Sequence, residues 1–262
     1  KKIPIWVSLF SICLAAHSAE KSPSLVESCN TQGVSLFYIL PRSSNPLISP
    51  FSIYTSLLMA YAGSKGDTAK QFAKALNINF DQHQAATSFS KLCSALPINS
   101  KENGVELISS NGIWIDKTFP VRPSFKKTIK NDFNGVVKKV QFSRVNQALK
   151  TINTSIKEKT NDYISNFLSS SNLSSNTKML LTNILLLKGA WENPFPTEQT
   201  GSQQFFNANN DSVYTQMMDQ TAMLPYYENK TTQVVALPIE SSEKDAAFSF
   251  VIFLPKAHQS NP

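Results

Sequence analysis

No charged residue occurs between Ser43 and Ser64, and a helix drawn through Phe51–Ala62 is apolar on nearly every side. A helix without a polar face must be wrapped by other protein, so this segment calls for a fold with a central buried helix. The chain can supply that wrapping: 262 residues, 41% of them apolar, are enough for one large core or two. The start of the helix is marked by Ser49 as N-cap and Pro50 at the first helical position, where the missing N–H costs nothing. Gly63 marks its end. Thr68 and Gln71 have capping-box spacing, and Ala69, Phe72, Ala73 and Leu76 follow the i, i+3, i+4, i+7 rule, which predicts a second, amphipathic helix.

Further along, the period changes twice. Val105–Asp116 alternates as a strand, with Ile113 and Ile115 on one face and Trp114 on the other. Val145, Leu149, Ile152, Ile156, Tyr163 and Phe167 then share one helical stripe, predicting a long helix laid on a flat surface. Ser169–Ser175 reads as a loop. Met179–Leu187 is apolar except for Thr182 and Asn183 and uncharged, as expected of a strand buried on both faces in the middle of a sheet. Thr232–Ile239 and Phe248–Leu254 read as strands joined by the turn Glu240–Asp245. No repeat, linker or composition break divides the chain, so the expectation is one α+β domain over residues 20–262.

Residues 1–19 stand apart. Lys1 and Lys2 precede an apolar stretch from Ile3 to Ala16, followed by small residues at Ser18 and Ala19, the layout of a secretory signal peptide too short for a comfortable membrane anchor. The mature chain is therefore expected to be secreted, to start near Ala19 or Glu20, and to keep no stable membrane anchor. Its formal charge of +7 loses only Lys1 and Lys2 with that leader, because no acid precedes Glu20. The densest basic cluster, Lys126, Lys127, Lys130, Lys138 and Lys139, lacks interleaved aromatics beyond Phe125 and Phe133 and reads as a solvated face, so no nucleic-acid partner is expected.

Chemistry of the catalytic kind has little to work with. The three histidines are His17 in the leader, His83 in a polar helix and His258 near the C-terminus, and no Gly-x-Ser-x-Gly, His-Glu-x-x-His or phosphate-loop sequence occurs. Gly63–Thr68 is glycine-bearing but follows a helix, and reads as a helix-to-helix turn. Cys13 lies in the leader; Cys29 and Cys93 remain, with no Cys-x-x-Cys, and sequence leaves open whether they bond. No catalytic residue, metal site or cofactor is expected, and a secreted hydrolase would need a strained nucleophile turn that the sequence does not contain. Sequons occur at Asn153, Asn172, Asn210 and Asn229; Asn153 sits near the apolar stripe of its helix, which leaves Asn172, Asn210 and Asn229 as glycosylation candidates.

Two independent segments carry a family resemblance. Asn45-Pro46-Leu47-Ile48-Ser49-Pro50-Phe51-Ser52 leading to Leu57–Thr68 resembles the serpin pattern of a short strand, buried helix and glycine turn. Thr182-Asn183-Ile184-Leu185-Leu186-Leu187-Lys188-Gly189-Ala190-Trp191 is similar to that family's central strand, with Ile184 and Leu186-Leu187 replacing its usual Ala and Tyr-Phe. Gly112–Ile115, the helix around Ile152-Asn153, and Leu237-Pro238 leading to Phe250–Pro255 fall in the same order.

The resemblance implies the serpin fold, helices packed around large mixed or antiparallel sheets. It also implies a mechanical inhibitor of serine or cysteine endopeptidases: a metastable sheet accepts its own cleaved reactive loop as an extra strand. Ser49, Ser52 and Asn183 match the shutter beneath the central strands, and Trp191 matches the breach where the loop first enters. The implied partner is a target endopeptidase and the implied state, when complete, a monomer. The alternative within the family is a non-inhibitory carrier or chaperone-like binding protein. The reactive bond, the hinge and the final strands would follow Pro262, so the residues as written are expected to be inactive and to aggregate.

Overall fold

The computed structural model describes residues 24–41, 45–98, 105–206, 211–240 and 248–256. The proposed leader, Asn210, His258 and most of the Glu240–Asp245 turn lie outside them. The chain divides into two compact units, one ending at Leu187 and holding the helices, the other formed mainly from Lys188 onward.

In the first unit, α1 (Leu25–Ile39) opens on a capping box in which Ser24 and Glu27 each bond the other's backbone N–H. The uncharged segment becomes α2 (Pro50–Gly63), and it is central as its composition demands: Phe51, Tyr54, Leu58, Met59 and Tyr61 are all in the main core. Its two tyrosines satisfy their hydroxyls on neighbouring backbone, Tyr54 donating to Leu76 O and Tyr61 to Phe80 O. The helices α1 and α2 meet where Gly33 faces Pro50; a Cβ on Gly33 would fall 2.7 Å from the proline Cβ, too close for any other residue.

The helix α3 (Gly66–Ala75) begins earlier than its sequence spacing predicts. Thr68 and Gln71 lie inside it, the N-cap is Lys65 without a side-chain bond, and Gly66 takes the turn with φ +59. The glycine's left-handed backbone makes the turn into the helix, and no side-chain bond caps it. The helix α4 (Gln82–Ser94) does carry such a box, formed by Asp81 and Gln84.

The sheet of this unit has the order β2-β1-β3, made from Glu106–Asp116, Val136–Val140 and Met179–Lys188, with α5 (Pro123–Asp132) between β1 and β2. The strands β1 and β2 are parallel, in register from Gly112↔Val136 to Asp116↔Val140. Asp116 N bonds Lys178 O while Trp114 bonds Thr182, so β1 and β3 run antiparallel. Alternation divides the core as expected: Ile113 and Ile115 enter the cluster around α2, α4 and α5, whereas Trp114 enters a second cluster with Phe142, Ile152, Ile156 and Ile184. The sheet thus separates the α2 layer from α6 (Val145–Lys159).

Two expectations need correction here. The helix α6 stops at Lys159, because Asn161 and Asp162 adopt positive φ and buried Thr160 takes Ile164 N onto its hydroxyl. Tyr163 and Phe167 therefore continue the spacing without the helix, and Tyr163 is 50% exposed. The strand β3 forms where predicted, but only Thr182 and Ile184 are buried, and among the described residues its sole strand neighbour is β1.

The second unit is built from strands. β4 (Gly201–Phe206) and β5 (Ser212–Met217) form an antiparallel hairpin; β6 (Tyr226–Glu228), β7 (Thr232–Pro238) and β8 (Ser249–Pro255) form an antiparallel sheet in that order. The β7–β8 pairing runs from Thr232↔Pro255 to Pro238↔Ser249.

Candidate functional site

The residues singled out in the helical unit fall in two places, the start of α2 and the crossing of β1 and β3. Ser49 accepts Ser52 N at 3.3 Å and donates from Oγ to Ser52 Oγ at 2.9 Å, so the cap serine also fixes the second serine's rotamer. Asn183 lies on the face of β3 that bears Leu181 and Leu185, the face packed on the α2 core. Its Nδ2 donates to Asn111 Oδ1 at 2.6 Å, and Asn111 Nδ2 donates in turn to Phe133 O at 2.7 Å. Asn183 Oδ1 is buried without a hydrogen-bond partner among the described residues. The described bonds join Ser49 to Ser52 and Asn183 to Asn111; none links the two pairs.

The opposite face of the same sheet has its own polar crossing. Trp114 Nε1 donates to Thr182 Oγ1 at 3.1 Å, and Lys138 lies 5.9 Å above the indole while its Nζ reaches Ser155 of α6 at 3.2 Å. Adjacent positions of β3, Thr182 and Asn183, thus bind β1 through side chains on both faces. Sequence reasoning missed Asn111, whose visible sign is the polar interruption Ser109-Ser110-Asn111 in an otherwise apolar strand, and it marks Thr182 only as a polar exception in β3, not as the partner of Trp114.

Trp191 belongs to the strand unit. It bridges Ile239 and stands edge-on to Phe195 and Phe250, with ring centroids 6.1 and 6.0 Å away. Asn172 closes the short 3-10 turn Ser170–Asn172 and Asn229 sits in the turn between β6 and β7, both exposed.

Ionisable groups contribute little to this constellation. Asp116, at the end of β1, accepts from Thr118 and from Phe142 N, and these bonds hold its carboxyl below the ordinary value. Cys29 and Cys93 are both free thiols, and burial pushes each up to about 12. Phe133 is buried in the core and Phe125 lies against Gly63, so neither forms a platform beside the α5 lysines. Among the described residues no group of three or more His, Cys, Asp or Glu could hold a metal, and no helix is long and apolar enough to cross a membrane.

Comparison with known proteins places this architecture. The model of the serpin (serine protease inhibitor) family matches residues 27–262. An uncharacterised serpin-like protein of Thermococcus kodakarensis is 32% identical, over 82% of this chain and 49% of its own length. The leukocyte elastase inhibitor of Bos taurus is 31% identical, over 88% of this chain and 61% of its own. An Arabidopsis serpin solved in its native stressed conformation superimposes with a TM-score of 0.80 at 26% identity, covering 93% of this chain and 62% of that one. The chain belongs to the serpin family and has the α+β serpin fold. It spans about half the length of the curated relatives it matches.

Proposed function

We propose that the protein encoded by this sequence inhibits serine or cysteine endopeptidases as a suicide substrate. In this reading the protease cleaves a reactive loop and is held as a covalent acyl-enzyme, an ester with a serine nucleophile and a thioester with a cysteine one. The freed loop then joins the sheet beside β3, with Ser49, Ser52 and Asn183 acting as the shutter and Trp191 as the breach. The observation that carries the reading is the polar crossing at the middle of β3. Small hydroxyl and amide groups occupy a sheet interior where apolar side chains would pack more tightly, and such groups can exchange hydrogen-bond partners when strands separate. The relative in Bos taurus whose name describes an elastase inhibitor supports the same reading. Residues 1–19 would direct the product out of the cell, which N-terminal sequencing of secreted protein starting near Ala19 or Glu20 would check.

The test uses protein expressed from the complete reading frame, incubated with trypsin-, chymotrypsin- and elastase-like proteases. The expected result is a complex that survives denaturing electrophoresis, together with a cleaved form that melts higher than the intact one. Cleavage with neither a stable complex nor a gain in Tm would favour a non-inhibitory carrier.

A further inference from the structure

Of the three sequons with described asparagines, one is built differently from the others. At Asn229, Oδ1 accepts three hydrogen bonds within its own turn: Thr231 N at 2.9 Å, Thr231 Oγ1 at 3.1 Å and Thr232 N at 2.8 Å. Asn229 N also closes the β6–β7 hairpin on Thr232 O. An amide whose oxygen is held inward by three donors turns its nitrogen outward. A substituent on Nδ2 therefore leaves every bond of the turn intact.

At Asn153 the opposite holds. Its Nδ2 donates to Leu168 O and its Oδ1 accepts Leu168 N, both at 2.9 Å, and the sequon hydroxyl, Ser155, is 5% exposed and bonded to Lys138. A group on that nitrogen would break the tie between α6 and the following loop. Asn172 spends only its oxygen, on Ser169 N and Oγ, but Ser174 accepts Asn176 N and no bond joins it to Asn172.

The second observation at Asn229 is an aromatic ring. Tyr226, Glu228 and Gln233 bond one another on one face of the β6–β7 ribbon, with Lys256 bonded to Glu228. Alternation along β6 puts Tyr227 on the other face, two residues before Asn229 in the chain. Tyr227 is 61% exposed. A sugar ring presents an apolar C–H face that packs on such a ring. At Asn172 the equivalent position is Ser170.

We propose that Asn229 is an N-glycosylation site whose first N-acetylglucosamine lies on the ring of Tyr227. In the transfer, Nδ2 bonds the anomeric carbon of a lipid-pyrophosphate-linked oligosaccharide, the carbon–oxygen bond to pyrophosphate breaks, and Nδ2 gives up one proton. The proposal does not depend on protease inhibition.

The experiment expresses the complete reading frame in cultured animal cells behind a standard secretory leader, so that lumenal delivery is supplied independently of residues 1–19. Glycans are removed by a peptide amidase, which converts an occupied Asn to Asp, and occupancy is read by peptide mass spectrometry in retained and secreted material alike. Asn229 is expected to be converted in most molecules, N229Q to lose one glycan-sized step in mobility, and secreted protein to show Asn153 unconverted. Removing the glycan is expected to lower Tm in the Tyr227 protein and to leave Tm unchanged in Y227A. An unconverted Asn229 in both pools overturns the site, and an equal change of Tm in Y227A overturns the stacking.

Discussion

Asn183 and Asn111 are the two residues whose side chains, rather than backbones, tie β3 to β1 on the α2 face. With Asn111 also holding Phe133 O, removing either amide leaves a polar group of the other half-satisfied in a buried place. Asn183→Ala and Asn111→Ala are each expected to destabilise the protein by about 1–3 kcal/mol. The double variant should cost less than their sum, by roughly 1 kcal/mol in a urea-unfolding cycle. Additive effects would mean that the 2.6 Å contact carries no coupling. The thiols are set by burial alone. With Cys29 and Cys93 raised to about 12, both remain protonated at pH 8, so a thiol reagent should react slowly with native protein and rapidly once it is unfolded. The same upward shift makes the two thiols favour the native state fully below pH 9.0 and lose that contribution as pH rises toward about 12.

The helix α6 shows how far one element is legible in sequence. Its docking face was correctly written by spacing: Ile152 and Ile156 enter the second core with Trp114 and Phe142. Its length was not, because Tyr163 and Phe167 keep the spacing by coincidence while Thr160, Asn161 and Asp162 end the helix through backbone geometry. Truncating the two positions should separate face from spacing. Ile152→Ala, at a fully buried site, is expected to cost about 2–5 kcal/mol, and Phe167→Ala distinctly less, both read from urea midpoints. The same contrast holds elsewhere in the molecule. Ser49 and Pro50 announced α2 because a cap is local chemistry, and Trp114 announced its face because alternation is local geometry. Asn111 and Thr182 were not legible as partners of Asn183 and Trp114, since those pairings join positions 72 and 68 residues apart and no local rule reaches across them.

Across the whole molecule, order is distributed unevenly, and the distribution bears on how the sheet would work. Both core clusters lie in the helical unit, whereas among the described residues of the strand unit only Val105, Leu237 and Phe248 are buried. The β4–β5 hairpin pairs six residues from each strand but buries none of them, and a two-stranded ribbon has little stability of its own. Hydrogen exchange should therefore find β4–β5 amides opening long before those of β1, which lies between two strands and two cores. The strand β3 is the informative intermediate. Its amides turned toward β1 are paired, and those turned away face no strand among the described residues. If a cleaved loop inserts beside β3, exchange at the amides of β3 turned away from β1 should slow after limited proteolysis of the complete protein, while β1, paired on both sides, changes little. Unchanged exchange along β3 after cleavage would rule out strand insertion there, however well Ser49, Ser52 and Asn183 suit it.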